Sequence, residues 1–533
     1  MNPRMLSMLL LALGVACNRA PEPKKTVPLP TFRHEMKGLL IDSAGVAAQD
    51  SSLAVFYRMN QFQTVWYREV NRKAAVQYLT NANCDGLFPQ DYNTQELSAY
   101  EKRFDRLTDK ELVAYDILLT TAFRRFLNHL GTGKLAPSQL YGNWELPPHP
   151  LDVDPLLSVG ISGDSLHKIV AYCKPPHELY QRLEKALDIL ESYPRDQMRK
   201  IPELSSKLKQ GDTASAVVLI KKRLIYWRDM KQPDSLTTVY DEATVRGIKN
   251  FQARHGLAVD GVIGKGTLEA LNFTKDQRRR QIIANMERWR WFPRNFGEHY
   301  VVVNIPGYEM ALVKEGDTLQ THRIVVGKSD RSTPVLVSKF SNVIINPTWT
   351  VPPTIIREDL TPAAKKNRSY FASKQITIFN WKGDTVSAQA WNPEKFNSYR
   401  YVQRPGPDNS LGMVKFDFPN RFLVYLHDTN HRDLFARQNR SLSSGCVRVD
   451  DPLPLAAHLI DNEKIDVDSI VCIIDTRKTK VYKVKQPVRI HQLYWTAWSE
   501  NRKLIFRDDI YQLDAALYDA LRKKIKPDAT DDK

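Results

Sequence analysis

Two short strings set the chemistry available to this chain. His427-Asp428-Thr429-Asn430 closes the apolar run Phe422-Leu423-Val424-Tyr425-Leu426, and Ser443-Ser444-Gly445-Cys446-Val447-Arg448 sets a thiol on a glycine turn. A thiol beside an imidazole is the minimum kit for acyl transfer: the imidazole takes the proton, the thiolate attacks a carbonyl, and an acyl-enzyme forms. Backbone N–H groups around Gly445 and Cys446 would hold the oxyanion. The flanking serines, glycine and arginine are not what a core strand carries, and Arg440 and Arg448 are expected to favour the thiolate. The bland alternatives are a small buried hydrophobe at Cys446 and a histidine capping a buried strand at His427.

The elements that must position this pair follow from periodicity. Tyr300–Ile305 and Tyr308–Val313, parted by Pro306-Gly307, predict strands, and Thr321–Val326 and Val343–Asn346 continue the pattern. A β-rich domain over 297–476 is expected. Tyr425 stands two residues before His427 and Arg448 two after Cys446, so on strands each shares a face with its neighbour. The polar stretch 353–404 interrupts the domain and reads as a lid over the site. After residue 476 the aromatic-rich segment 477–533 is expected to pack back onto the body.

Upstream, residues 46–203 follow a helical period, clearest from Leu112 to Leu130, with breaks at Gly86-Leu87-Phe88-Pro89 and at Pro147–Pro150. This half shows no catalytic constellation, and its aromatics read as core. Residues 204–275 form a compact module that closes on Phe251-Gln252, then His255-Gly256-Leu257-Ala258-Val259-Asp260-Gly261-Val262-Ile263-Gly264. Gly256, Gly261 and Gly264 are read as inter-helix turns, with Phe251 and Leu257 as core.

Composition bounds the rest. A chain of 533 residues holds three or so domains. A net charge of +17 suits a polyanionic neighbourhood, but no compact basic tract or nucleic-acid motif appears, so nucleic acid is not an expected partner. Arg4 and the apolar run Met5–Ala16, ending at Cys17, predict an export signal over 1–17, too short for a permanent span. A polar, proline-bearing linker follows over 18–45. The five cysteines contain no CxxC pair, so neither a zinc site nor a disulfide framework is expected, and the chemistry needs no cofactor. Cys472, inside Ile470-Val471-Cys472-Ile473-Ile474, reads as a core strand residue.

Together these strings resemble the L,D-transpeptidases with a YkuD-like catalytic domain, of the large periplasmic type with an N-terminal scaffold and an embedded peptidoglycan-binding module. The motifs are Asn346-Pro347-Thr348-Trp349-Thr350-Val351-Pro352, Arg404-Pro405-Gly406-Pro407-Asp408-Asn409, Leu411-Gly412, Lys415-Phe416 and the two strings above. The module at 204–275 is similar to the type 1 peptidoglycan-binding domain, a small three-helix bundle. Gly14-Val15-Ala16-Cys17 resembles a lipobox, which implies a lipid on Cys17 and membrane attachment in the cell envelope. One departure is Ser444, where many members carry histidine. The resemblance implies a multidomain α+β fold: helical scaffold, three-helix bundle, and β-rich catalytic domain with a lid-like insertion. It implies that Cys446 attacks the third residue of a donor tetrapeptide stem, with His427 as base and then as acid to the departing D-alanine. Backbone donors near Ser444, Gly445 and Cys446 hold the oxyanion, and a diamino-acid amine of a second stem opens the thioester to give a 3→3 cross-link. A group at Asp428, its carbonyl or its carboxylate, fixes the tautomer of His427. Tyr425 and Trp349 wall the substrate cleft, and Arg448 holds a stem carboxylate or braces the loop. The same chemistry with water, a protein lysine or a free D-amino acid as acceptor stays open, as does a non-catalytic wall-binding scaffold. Acylation by carbapenems is also implied.

Overall fold

The computed structural model describes residues 36–524. The signal and lipobox readings and the linker up to residue 35 therefore lie outside the described residues, whereas residues 36–45, also read as linker, bury Met36 and Ile41 in the helical core and start a helix at Ser43. No described helix is long and apolar enough to cross a membrane.

The helical half is organised around one long helix, Asp109–Thr132. A capping box starts it: Thr108 accepts from the Glu111 N–H, and Glu111 reaches back to the Thr108 backbone. Its apolar stripe, including Leu119, Phe123, Phe126 and Leu130, packs with Trp66, Tyr92 and Tyr115 in a core separate from the rest of the chain. Buried Asp116 knits that core by accepting from the Tyr57 hydroxyl at 2.7 Å and the Val65 and Trp66 N–H groups at 2.8 and 2.9 Å.

The small module is a bundle of Ala216–Tyr226, Glu242–Arg254 and Lys265–Leu271. Phe251 is fully buried and Leu257 packs at the edge of the core. Gly256 and Gly261 take φ of +65° and +73°, the left-handed turns that glycine suits. Gly264 differs from expectation: at φ −97° and ψ −172° it is an ordinary extended N-cap that any residue adopts.

The remaining strands, in chain order, are β1 (Trp144–Glu145), β2 (His299–Asn304), β3 (Glu309–Lys314), β4 (Asp317–Gly327), β5 (Val335–Lys339), β6 (Asn342–Ile345), β7 (Trp349–Thr350), β8 (Ile376–Phe379), β9 (Thr385–Val386), β10 (Arg400–Gln403), β11 (Val414–Asp417), β12 (Leu426–His427), β13 (Ser441–Ser443), β14 (Val447–Val449), β15 (Lys480–Lys483), β16 (Arg489–Leu493), β17 (Ala497–Glu500) and β18 (Lys503–Phe506). One sheet runs in the order β1-β5-β16-β2-β3-β4-β14-β12-β11-β6-β15, with β13 beside β4. The insertion carries its own sheet, β7-β10-β8-β9, over a private core that includes Phe371, Trp391 and Tyr401.

Two expectations need correction. The segment after residue 476 does more than pack on the body, because β15 and β16 are strands of the main sheet and β16 lies between β2 and β5. Arg489-Ile490-His491-Gln492-Leu493 hides its strand character behind polar side chains. Arg489 is exposed, but His491 and Gln492 are fully buried, with His491 bonded to the Phe296 carbonyl at 2.9 Å and Gln492 donating to that of Pro334 at 2.7 Å. Cys472 is not on a core strand: it is exposed on the helix Val467–Asp475, whose Ile470 and Ile473 face inward. A short apolar run does not distinguish strand from helix by periodicity alone.

The helix Lys275–Trp291 joins the two halves and is buried on nearly every side. Its Glu287 accepts from the Leu135 N–H at 2.8 Å and pairs with Arg290 at 3.2 Å, and Arg290 in turn bonds the Tyr180 hydroxyl and the Asp85 carbonyl. Breaking one side of a buried pair strands the other charge. We therefore expect Glu287→Ala to cost about 3–5 kcal/mol in chemical denaturation. A loss below about 1 kcal/mol would show that Arg290 finds another partner.

Candidate active site

The site is made by a parallel pairing. β12 lies beside β14 with Leu426 opposite Val447 and His427 opposite Arg448, and the Val447 N–H donates to the Tyr425 carbonyl at 3.2 Å. Side chains alternate along a strand, so Tyr425, His427, Cys446 and Arg448 share one face. On the other side of β12, β11 sets Lys415 opposite His427, which adds a second cation to that face. Its ammonium lies 4.2 Å from the Tyr425 ring centroid and 2.8 Å from Asp417.

His427 is held in one tautomer. Its Nδ1 stands 2.5 Å from the Asp428 carbonyl, which only accepts, so Nδ1 carries the proton and Nε2 is left as the base. The carboxylate of Asp428 is occupied elsewhere: it accepts from the Met413 N–H at 2.8 Å and from Arg432 at 2.7 Å. The two options left open by the sequence are thus separated. Gly412 makes this arrangement fit, since it has φ +62° and a Cβ there would stand 2.4 Å from Asp428 Oδ2. Asn409 shapes the same turn by donating to the Pro347 and Arg404 carbonyls at 3.1 and 2.8 Å and accepting from the Leu411 N–H at 2.8 Å.

Cys446 is half-buried. The Tyr425 hydroxyl and backbone N–H lie near its sulfur and favour the thiolate, and the Trp349 side chain acts on that hydroxyl in turn. Tyr425 and Trp349, read from the sequence as cleft walls, thus stand in line toward the sulfur. The Tyr425 ring sits edge-on to His427, with centroids 5.7 Å apart.

The glycine turn is braced from beneath. Gly445 has φ +112°. Its N–H donates to Ser443 Oγ at 3.2 Å, and its carbonyl accepts from Thr333 Oγ1 at 2.9 Å. Ser443 Oγ itself donates to the Cys446 carbonyl at 2.6 Å. Ser444 is exposed, and its hydroxyl meets Arg331 at 3.0 Å. Nothing in the sequence links Arg331 or Thr333 to this turn; the loop after β4 brings them there. Lys415 left only a faint signal, an alternating Val-Lys-Phe-Asp strand next to the Leu411-Gly412 string.

Burial decides the protonation states. It pushes the Cys446 thiol up to about 11, outweighing the Tyr425 donors, Lys415 and Arg448. It lowers His427 to about 3, with Arg448 acting in the same sense and the Asp428 and Leu411 carbonyls opposing. The expected help from Arg440 is absent, because its guanidinium donates to the Ile324, Tyr308 and Arg437 carbonyls instead. At neutral pH the pair is thiol plus neutral imidazole. Among the described residues no group of three or more His, Cys, Asp or Glu is placed to hold a metal ion.

With this geometry in view, the comparisons fall into place. Residues 298–482 match the family described as "L,D-transpeptidase catalytic domain", residues 213–271 the "Putative peptidoglycan binding domain", and residues 51–187 the "Scaffold domain". The chain therefore carries an L,D-transpeptidase catalytic domain of the YkuD family behind a scaffold domain and a peptidoglycan-binding domain. A curated relative from Haemophilus influenzae, "Putative L,D-transpeptidase", is 35% identical over 237 residues, covering 44% of this chain and 48% of the relative. The chain thus spans about half the length of that relative. Among solved structures, an L,D-transpeptidase from Stackebrandtia nassauensis is 12% identical with a TM-score of 0.21, covering 54% of this chain and 94% of that one. A Cys-to-Ser mutant of Enterococcus faecium L,D-transpeptidase is 9% identical with a TM-score of 0.19, covering 58% and 98%. Likeness at that level supports nothing further.

A thiol whose folded pKa lies above its ordinary value gains thiolate only as pH climbs toward that pKa. Iodoacetamide alkylation of Cys446 should therefore be slow at pH 7 and rise about tenfold per pH unit toward about 11. Mass spectrometry of the Cys446 peptide reads the rate. A plateau below pH 8 would mean a preformed thiolate–imidazolium pair.

Proposed function

We propose that this protein is a peptidoglycan L,D-transpeptidase that forms 3→3 cross-links through a Cys446 thioester and releases D-alanine. The observation that carries the reading is the shared face of Tyr425, His427, Cys446 and Arg448, with the His427 tautomer fixed. His427 Nε2 takes the thiol proton as the sulfur adds to the carbonyl of the third stem residue. The oxyanion is met by N–H groups of the turn. Since the Gly445 N–H already donates to Ser443, the donors on which the reading relies are those of Ser444 and Cys446. Collapse breaks the C–N bond, and His427 returns its proton to the leaving amine of D-alanine. The side-chain amine of a second stem then attacks the thioester, His427 removes its proton, and the sulfur leaves and is reprotonated. No resting thiolate is needed, because the proton moves as the bond forms.

Tyr425 supports the sulfur as charge develops on it, through its hydroxyl and the Trp349 indole behind it. Arg448 is assigned to a stem carboxylate. Its Nε is buried without a partner, and burial lowers its pKa, a cost that a bound carboxylate would relieve. The bundle at 204–275 is proposed to hold the protein against the wall, the 353–404 insertion to cover the stem, and the region before residue 36 to export and tether it in the envelope, with lipid on Cys17.

The test is mass spectrometry of purified disaccharide-tetrapeptides after incubation with wild type and Cys446→Ala. The expected product is a dimer lighter than two monomers by one D-alanine, made only by wild type, with fragmentation placing the new bond at the third residue. D-alanine released without dimer would point to hydrolysis or another acceptor. No change with folded protein would contradict the assignment. Arg448→Gln is expected to raise KM for the donor at least tenfold, about 1.4 kcal/mol of lost binding, with a smaller change in kcat.

A further inference from the structure

Arg331 ends a short turn, Ser329–Arg331, directly after β4. Its guanidinium meets three groups: Glu358 at 2.6 Å, Asp359 at 2.7 Å and the Ser444 hydroxyl at 3.0 Å. The first two belong to the insertion and the third to the turn that carries Cys446. The backbone of this loop is fixed tightly. A Cβ on Gly327 would stand 2.2 Å from the Arg331 carbonyl, and one on Gly445 3.7 Å from it. Around it, the Lys328 N–H donates to the Ser443 carbonyl at 3.0 Å, and Thr333 donates to that of Gly445 at 2.9 Å.

On the insertion side, Glu358 and Asp359 lie on a widened π-turn, Ile356–Leu360, within a helical run that continues to Lys366. Pro362 lacks the N–H that would bond the Glu358 carbonyl, and its ring crowds that carbonyl. Widening to a π-turn relieves both problems, and such turns recur at functional sites. At the root of the insertion, β7 pairs with β10 and places Trp349 near Tyr425. The Arg331 contact reaches the glycine turn through the Ser444 hydroxyl.

We propose that Arg331 is a positioning residue that couples seating of the 353–404 insertion to the Ser444–Gly445 turn, so that the turn is set for acylation only when Glu358 and Asp359 are engaged. This rests on the reading of Cys446 as nucleophile. The carboxylates are 37% and 49% exposed whereas Arg331 is 16% exposed, so the contact is breakable from the insertion side without removing the arginine. Exposed ion pairs are individually weak, so this contact is readily broken and remade.

The test uses the full chain and compares wild type, Arg331→Ala, the double variant Glu358→Gln/Asp359→Asn, and Asp359→Glu. A carbapenem is the acylating probe, and intact-protein mass gives the rate at saturation and the half-saturating concentration. Hydrogen exchange is read in parallel over residues 353–366 and 441–446. The double variant is expected to lower the saturating rate at least fivefold, to change half-saturation less than twofold, and to raise exchange in both segments. Asp359→Glu, which keeps the charge, should retain at least half the rate. A wild-type rate in the double variant, or faster exchange at 353–366 alone, would overturn the coupling. If wild type itself is not acylated, the nucleophile reading fails, and exchange at 441–446 still decides the coupling.

Discussion

The parallel pairing of β12 with β14 is the constraint on which the site depends. Both strands are only a few residues long, and their register alone puts His427 and Cys446 on a common face. A slip of one residue would turn one of them to the opposite side. Much of the surrounding structure guards that register. β4 flanks β14 and β11 flanks β12, so neither short strand is an edge. The loop after β4 supports the glycine turn, and Tyr511, from beyond residue 476, accepts from the Thr333 N–H at 3.0 Å and donates to the Gly327 carbonyl at 2.8 Å. Residues nearly two hundred positions apart thus converge on one turn.

The second organising effect is burial. Counting cations around Cys446 suggests an ionised thiol, with Lys415 and Arg448 on its own face. Removal of water from the sulfur acts more strongly in the opposite direction, and the same loss of water keeps His427 neutral. A neutral thiol reacts slowly with stray electrophiles. Arg448 keeps a buried Nε without a partner among the described residues, and the Lys415 ammonium lies 4.2 Å from the Tyr425 ring centroid.

Local strings were readable. The helical period from Leu112 to Leu130 announces the longest helix, and Gly256 and Gly261 announce the turns of the bundle. The polarity around Cys446 marked it as unlike a core cysteine, and the two-residue spacings correctly anticipated which side chains share a face. What escaped depends on contacts distant in the chain. Arg489–Leu493 looks too polar for a central strand because its partners, the Phe296 and Pro334 carbonyls, are invisible locally. Cys472 followed an ambiguous aliphatic run. Arg331 carries no local sign of its task, since Ser444, Glu358 and Asp359 meet it only in the fold. At Cys446 the favourable charge of Arg448 was legible, but the opposing effect of burial was not, since charge is written in the sequence and burial is not.

The central claim is that His427 rests as a neutral imidazole with its proton on Nδ1, facing a protonated Cys446. Nitrogen-15 NMR of ring-labelled histidine, with the His427 signal assigned by its loss in His427→Gln, measures this directly. The account predicts a protonated Nδ1, a bare Nε2, and no titration above about pH 4. Both nitrogens protonated at pH 7, with the proton lost in Cys446→Ala, would show an ion pair and contradict it.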